Sequence, residues 1–172
     1  GDVIRTTPLI HRILAEHPKS AIWWVTLTPE IIPSVVDRAL PFNFETMLIL
    51  QQTEFYKVIN LDKDPQACAL AKSLKAKEKY GFTLKEGKPA PMNTASEHKF
   101  LTGIFDPVSR KNTKSYLQEI FEIVGWKYKG EEYIIDVEED VSWDLTTKQT
   151  PIVGLNTGCG ERWTSRLWPD HN

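Results

Sequence analysis

The sequence is poor in the features that mark several protein classes. It holds only two cysteines, Cys68 and Cys159, in 172 residues. They fall far apart in different expected elements, which argues against a secreted disulfide framework and for a reduced, cytoplasmic setting. The four histidines, His11, His17, His98 and His171, form no metal-ligand spacing with those cysteines, so no metal and no other cofactor is expected. No apolar run approaches the roughly 20 residues that a membrane-spanning helix needs. No secretory leader pattern opens the chain. With Lys+Arg 21 against Asp+Glu 23, the net charge is -2. That balance provides no basic field to gather nucleic acid, and no nucleic-acid partner is expected. Internal repeats and low-complexity tracts are absent. So is a Gly-x-Gly-x-x-Gly fingerprint, which counts mildly against a dinucleotide-dependent enzyme.

What remains is a globular balance, 41% hydrophobic and 26% charged, sufficient for a packed core. The length suits one domain of ordinary size and a little more. The chain opens on Gly1-Asp2-Val3 without an initiator Met and closes on Trp168-Pro169-Asp170-His171-Asn172, the lead-in to a helix. Both ends are therefore expected to continue.

Along the chain, the spacing predicts strands alternating with helices. Thr7-Pro8 reads as an N-cap and first helical residue, followed by Leu9, Ile10, Ile13 and Leu14 on one face until His17-Pro18. Ala21 to Thr26 is a nearly continuous apolar run, the pattern of a strand covered on both faces in a parallel sheet. In such a strand Trp23 and Trp24 read as core residues rather than a sugar-stacking platform. Thr28-Pro29-Glu30 starts a short helical turn, and Val35 to Phe42 is a weaker strand. Phe44, Met47, Leu48 and Phe55 fit a helix packed on the sheet, and Tyr56 to Leu61 is a clear strand. Asp64-Pro65 opens a helix bearing Cys68, Leu70, Ala71 and Leu74. Tyr80 to Lys88 reads as a strand and turn, the makings of a hairpin. Thr94-Ala95-Ser96-Glu97 has the form of a capping box, with Phe100, Leu101, Ile104 and Phe105 beyond it at helical spacing. A last helix, opened by Asn112 or Thr113, carries Tyr116, Leu117, Ile120, Phe121 and Val124, and Gly125 ends it. Lys72, Lys75, Lys77 and Lys79 form a local basic stretch that reads as a solvated face.

This alternation implies an α/β fold with a mainly parallel sheet. An acidic, then polar stretch around Trp143 marks a domain boundary, giving one domain over 1–147 and a linker with the beginning of a second over 148–172. In the latter, Pro151 to Asn156 is a buried strand and Thr157-Gly158-Cys159-Gly160 the loop at its carboxyl end. Ligands of open α/β sheets bind at the carboxyl ends of the strands. Two segments belong there: that loop, and Gly1-Asp2-Val3, which would follow a strand outside this sequence. Taken as residues alone, Asp2 reads as a helix or turn cap, the glycine loop as a tight turn and Arg166 as a surface arginine. Each also suits chemistry: a carboxylate in a cleft as a base, and N–H groups and a cation against a diphosphate.

Gly1-Asp2-Val3-Ile4-Arg5-Thr6-Thr7-Pro8-Leu9 resembles the glycine-aspartate signature of family 9 glycosyltransferases, the heptosyltransferase family. Val58 to Asp62 is similar to that family's central strand, and Lys75-Ala76-Lys77 with Tyr80-Gly81-Phe82 to the segment after its next helix. Gly154 to Gly158 with Arg166-Leu167-Trp168-Pro169 is similar to the opening of its second domain. The resemblance implies the GT-B architecture, two Rossmann-like domains across a cleft. It implies inverting, metal-free transfer from a nucleotide-sugar donor, typically ADP-heptose, to a lipid-linked glycan acceptor, typically the lipopolysaccharide inner core. It further implies Asp2 as general base, Gly1 and Thr6 on the acceptor side, and Thr157, Gly158 and Arg166 on the donor diphosphate. The expected protein is cytoplasmic, compatible with peripheral association at the inner membrane, and no obligate oligomer is expected. A fragment lacking most of the donor domain should be inactive alone. Two further readings stay open, a non-catalytic relative that keeps the fold and a different Rossmann-like nucleotide-dependent enzyme.

Overall fold

A computed structural model describes residues 2–136 and 151 of the chain. The chain divides into two compact units, Gly1–Asp136 and Val137–Asn172. The expected boundary between 147 and 148 lies outside the described residues.

The first unit opens with two short helices, α1 (Asp2–Thr6) and α2 (Leu9–Glu16). Helix was expected only from Thr7-Pro8 onward. In this turn the Thr6 and Thr7 hydroxyls donate back to the Val3 and Ile4 carbonyls at 2.7 and 2.8 Å. Thr7 therefore does not cap α2, and Pro8 stands there in helical conformation with no side-chain cap. Strand β1 (Trp23–Thr26) follows, then a 3-10 turn at Pro29–Ile31 and strand β2 (Arg38–Pro41). Helix α3 (Phe44–Gln52) is capped by Asn43, whose side-chain oxygen accepts from the Thr46 amide at 2.9 Å. Phe55, expected on this helix, lies instead in strand β3 (Glu54–Asn60). Phe44 and Leu48 are exposed, while Met47 packs with Leu50.

Helix α4 (Pro65–Ser73) begins with proline at its first position, where a missing N–H costs nothing. Its last carbonyls, of Ala71 and Lys72, accept from the Lys79 ammonium at 3.1 and 2.9 Å. A cation at a helix carboxyl end opposes the helix dipole there, so one member of the basic stretch is structural. Strands β4 (Lys75–Lys85) and β5 (Lys88–Pro91) form a hairpin. Its tip turns through Glu86 at φ 50 and Gly87 at φ 76.

Helix α5 (Thr94–Thr102) has its capping box one residue earlier than expected, between Asn93 and Ser96. It stops at Gly103, which leaves Ile104 and Phe105 exposed rather than on a helical face. Helix α6 (Asp106–Lys111) was not anticipated. Helix α7 (Tyr116–Ile123) is capped by Ser115, not by Asn112 or Thr113, and Ser115 shares its box with Gln118. Gly125, at φ 80, ends α7 as expected. The Gly125 amide bonds to the Glu122 carbonyl and the Trp126 amide to the Phe121 carbonyl, both at 2.9 Å, the double closure of a Schellman turn.

The unit is α/β, with parallel and mixed sheets. Among the described residues the strands form two sheets rather than one. β1 and β2 pair in parallel; β3 and β4 pair in parallel, and β5 adds antiparallel to β4. The main core gathers Leu9, Cys68 and Phe82 with Ile120, Phe121 and Ile123 of α7. A second cluster joins Ile10, Ile22 and Val36, and a third Leu50, Leu70 and Leu74.

One close approach fixes a residue type. Gly81 lies opposite Asn60 in the β3–β4 register at φ +99. A Cβ there would overlap the Asn60 carbonyl, so only glycine lets the two strands close up.

Candidate functional site: a cleft where two strands end

The carboxyl ends of β1 and β3 open into the same cavity, of about 1870 Å³. Residues 21–28 run along one side of it and residues 55–64 along another. Val3, Arg5 and Thr6 of α1 contribute to the wall, as do Leu9 and Ile13 of α2. The surface inside is mainly apolar. The cleft is half open to solvent.

The polar groups concentrate where the strands end. Thr26 turns the chain at the end of β1, its hydroxyl accepting from the Thr28 amide at 3.2 Å. Asn60 organises the end of β3. Its amide nitrogen donates to the Phe82 carbonyl at 2.8 Å and to the Asp62 carbonyl at 3.0 Å, while its oxygen accepts from the Asp62 amide at 3.1 Å. Asp62 in turn accepts from the Asp64 amide at 2.9 Å. The Asp62 carboxylate is thus held at the cleft by a backbone turn.

Cations approach from α1, from α5 and from the loop before α4. The Arg5 guanidinium sits 3.8 Å from the centroid of the Tyr116 ring, and the Lys99 ammonium 4.7 Å from it. Lys63 reaches over Phe82 at 5.9 Å. Arg5, Lys63, Lys99 and Tyr116 all line the cavity. Lys99 is also engaged behind the cleft, 2.5 Å from buried Glu119, which further accepts from Thr102 and Asn112 at 3.3 Å. His98 approaches the same carboxylate at 3.5 Å, a structural place for that histidine. Set in a mainly apolar lining, these cations, carboxylates, hydroxyls and an aromatic ring are the few polar groups that can orient a ligand there.

Buried Cys68 lies below Asn60, its thiol 3.4 Å from the Asp62 carbonyl. Burial pushes the thiol above its ordinary range; the Asn60 hydrogen bond opposes this, and the Asp62 and Asp64 charges add to it. It is held as a neutral thiol, a poor nucleophile. Among the described residues no group of three His, Cys, Asp or Glu side chains converges as metal ligands would.

The sequence-derived site residues fare unevenly. Thr6 is buried on the cleft wall, its hydroxyl bound to the Val3 carbonyl. Asp2 heads α1, but only its backbone is described. Gly1, Thr157, Gly158 and Arg166 lie outside the described residues. Arg5, within the same signature, lines the cleft. Asn60, Lys63, Lys99 and Tyr116 were not singled out. The rule that ligands sit at carboxyl ends of strands reaches Asn60 and Lys63 from sequence; Lys99 and Tyr116 come from later helices, and only tertiary packing brings them in. Among the described residues no helix is long and apolar enough to cross a membrane. Compared with models of protein families, with curated proteins and with solved structures, the chain matches none of them.

Proposed function

We propose that this chain is the acceptor-side part of an inverting glycosyltransferase of the GT-B, Rossmann-like kind, similar to the family 9 enzymes. It would move a heptose-like sugar from a nucleotide-diphosphate donor to a lipopolysaccharide-core or related lipid-linked glycan. The observation that supports the reading is that Val3, Arg5 and Thr6, in the segment that resembles the glycine-aspartate signature, line the cleft into which β1 and β3 end.

In this reading Asp2 takes the proton from the acceptor hydroxyl as that oxygen attacks the anomeric carbon. The donor's carbon–oxygen bond breaks on the opposite face, and the nucleoside diphosphate leaves with the electron pair. Gly1 and Thr6 border the acceptor, and the cations among the cleft lining favour an anionic glycan. Thr157, Gly158 and Arg166 would meet the diphosphate, where N–H groups and a guanidinium offset the growing charge. No metal ion is needed for these steps. The setting is cytoplasmic, at most peripheral to the inner membrane.

Calorimetry on the intact protein with ADP-, GDP- and UDP-sugars tests the reading, together with a transfer assay. The expected outcome is saturable ADP-sugar binding that survives Asp2→Ala, with transfer reduced by about 10²–10⁴-fold, the usual contribution of a general base. Unchanged transfer in Asp2→Ala removes Asp2 as the base. Absence of binding by every nucleotide sugar removes the transferase reading.

A further inference from the structure

We infer that the turn between α5 and α6 is a docking surface for a bilayer that carries anionic lipid. Ile104 and Phe105 enter the apolar layer, while Lys63, Arg110 and Lys111 meet the headgroup phosphates. The inference goes beyond the transferase reading and does not depend on it.

Three observations carry it. First, two large apolar side chains stand together in water. Ile104 is 55% and Phe105 53% exposed, and every residue over 103–107 is exposed. Single exposed apolar side chains need no explanation; here two are adjacent in one turn, and Pro107 extends their surface. Second, the backbone of this turn is closed on itself. The Gly103 amide donates to the Phe100 carbonyl at 3.1 Å, and the Ile104 and Phe105 amides to the Leu101 carbonyl at 3.2 and 2.9 Å. The Val108 and Ser109 amides donate to the Phe105 carbonyl, both at 3.0 Å. Pro107 has no N–H to satisfy. An apolar layer offers no partner to a backbone group, so a segment that enters it must bring its own.

Third, cations flank the apolar pair. Helix α6 carries Arg110 and Lys111 against one carboxylate, Asp106, in a chain of net charge -2. Among the described residues neither cation is ion-paired, unlike Lys114, which meets Glu122 at 2.6 Å. Lys111 shares a shallow depression with Pro107 and Val108. The Lys63 ammonium lies so close to Gly103 that a Cβ there would meet it. Such side chains lay their stems along apolar surface and keep the charge at headgroup level, where each adds to the attraction of anionic lipid.

Size and charge together select the occupant. A stable protein interface takes about 800 Å² on each partner, far more than one turn offers. A bilayer needs no matching shape, only apolar side chains to bury and anionic headgroups for the cations. A free anion would leave Ile104 and Phe105 in water. Lys63 also lines the cleft, so docking here brings the cleft beside the lipid surface.

Co-sedimentation of the 172-residue chain with vesicles tests the inference. One set is phosphatidylcholine alone, the other phosphatidylcholine and phosphatidylglycerol in equal parts. The parent should bind the mixed vesicles and not the neutral ones, and binding should weaken as salt is added. Ile104→Ser with Phe105→Ser should lower the partition coefficient at least about tenfold, and Arg110→Gln with Lys111→Gln about tenfold. Arg110→Lys with Lys111→Arg keeps both charges and should bind as the parent does. Phe44→Ser with Leu48→Ser alters another exposed apolar face, on α3, and should also leave binding unchanged. Failure to bind mixed vesicles, equal binding to neutral ones, undiminished binding in the Ser or Gln pair, or an equal loss in the α3 pair would each overturn the inference. So would a lipid-free dimer that the Ser pair dissociates, since the turn would then join two copies. No readout involves a sugar or nucleotide, so failure here and failure of the transferase reading are distinguishable.

Discussion

Two glycines of the β4–β5 hairpin, one in a strand and one in its turn, show how the same left-handed backbone has different consequences at different sites. Gly81 has φ +99 and faces the Asn60 backbone, while Gly87 has φ +76 with nothing within 4 Å of a Cβ. Gly81→Ala adds steric overlap between two strands to dihedral strain, so a loss of about 3–5 kcal/mol is expected, strain and overpacking together. Gly87→Ala bears the dihedral term alone, about 1–2 kcal/mol. Urea denaturation of the two variants should show that ordering; equal losses would mean that β3 and β4 do not approach as described. Glu78 provides a pH-dependent test. Burial acts to raise its carboxyl, but the Tyr56 hydroxyl, the Lys57 ammonium 3.5 Å away and the Tyr80 hydroxyl outweigh it and hold the group below its ordinary 4.5. A lowered folded value means stabilisation that is present above 4.5 and lost as pH falls through the folded value. Glu78→Gln should therefore lower Tm at neutral pH and converge with the parent well below pH 4.5. Melting curves over graded pH decide it, and a gap that widens on acidification would contradict the assigned direction.

The elements differ in how far their residues announce them. The apolar run at β1, the proline opening α4 and the glycine closing α7 were readable because each reflects a local constraint: β-propensity, a dispensable N–H, a left-handed φ. The expected cover on both faces of β1 is not what the structure shows: Trp23, Trp24 and Val25 are half-buried and line the cleft. Cap positions were less so. Asn93, Thr94 and Ser96 are all competent caps, and the choice fell to Asn93 because its extended backbone, φ -146 and ψ 174, starts the helix there. Asn93 also serves a partner that no local pattern reveals: its amide nitrogen donates to the Ile123 carbonyl at the end of α7 at 2.8 Å. The cleft was legible only by rule, through strand ends, since Lys99 and Tyr116 reach it by the packing of α5 and α7. Thr157, Gly158 and Arg166, expected at the donor diphosphate, lie beyond what the structure describes. Asn93 and Ser115 can be set against each other. Ser115→Ala removes one exposed cap and should cost about 1 kcal/mol. Asn93→Ala removes a cap and strands a partly buried carbonyl, so about 2–3 kcal/mol is expected. Chemical denaturation of both variants checks the difference. Similar losses would show that the link between α5 and α7 contributes little.

At the scale of the whole unit, the chain returns to its own beginning. After α7, the segment to Asp136 runs back over the first helices and is tied at four points. Trp126 donates its indole N–H to Glu16 at 2.9 Å, and His11 meets the Glu132 carbonyl at 3.2 Å. The Ile134 amide donates to the Thr7 hydroxyl at 3.0 Å, and the Ser34 amide to Asp136 at 2.6 Å. Thr7 is the buried member of the set, at 0% exposure, and its hydroxyl both donates to Ile4 and accepts from Ile134. It therefore fixes the turn between α1 and α2 and the closing segment with one oxygen. Thr7→Val keeps the shape but removes both bonds and leaves the Ile134 N–H without its acceptor, which should cost about 2–3 kcal/mol. Thr7→Ser retains the hydroxyl and loses a buried methyl, so its cost should be nearer 1 kcal/mol. The two variants also separate in exchange: Thr7→Val should expose the Ile134 amide, and Thr7→Ser should not. If Ile134 exchanges equally slowly in both, the amide has another partner, and the closing segment is held by side-chain packing against α2 rather than by this bond.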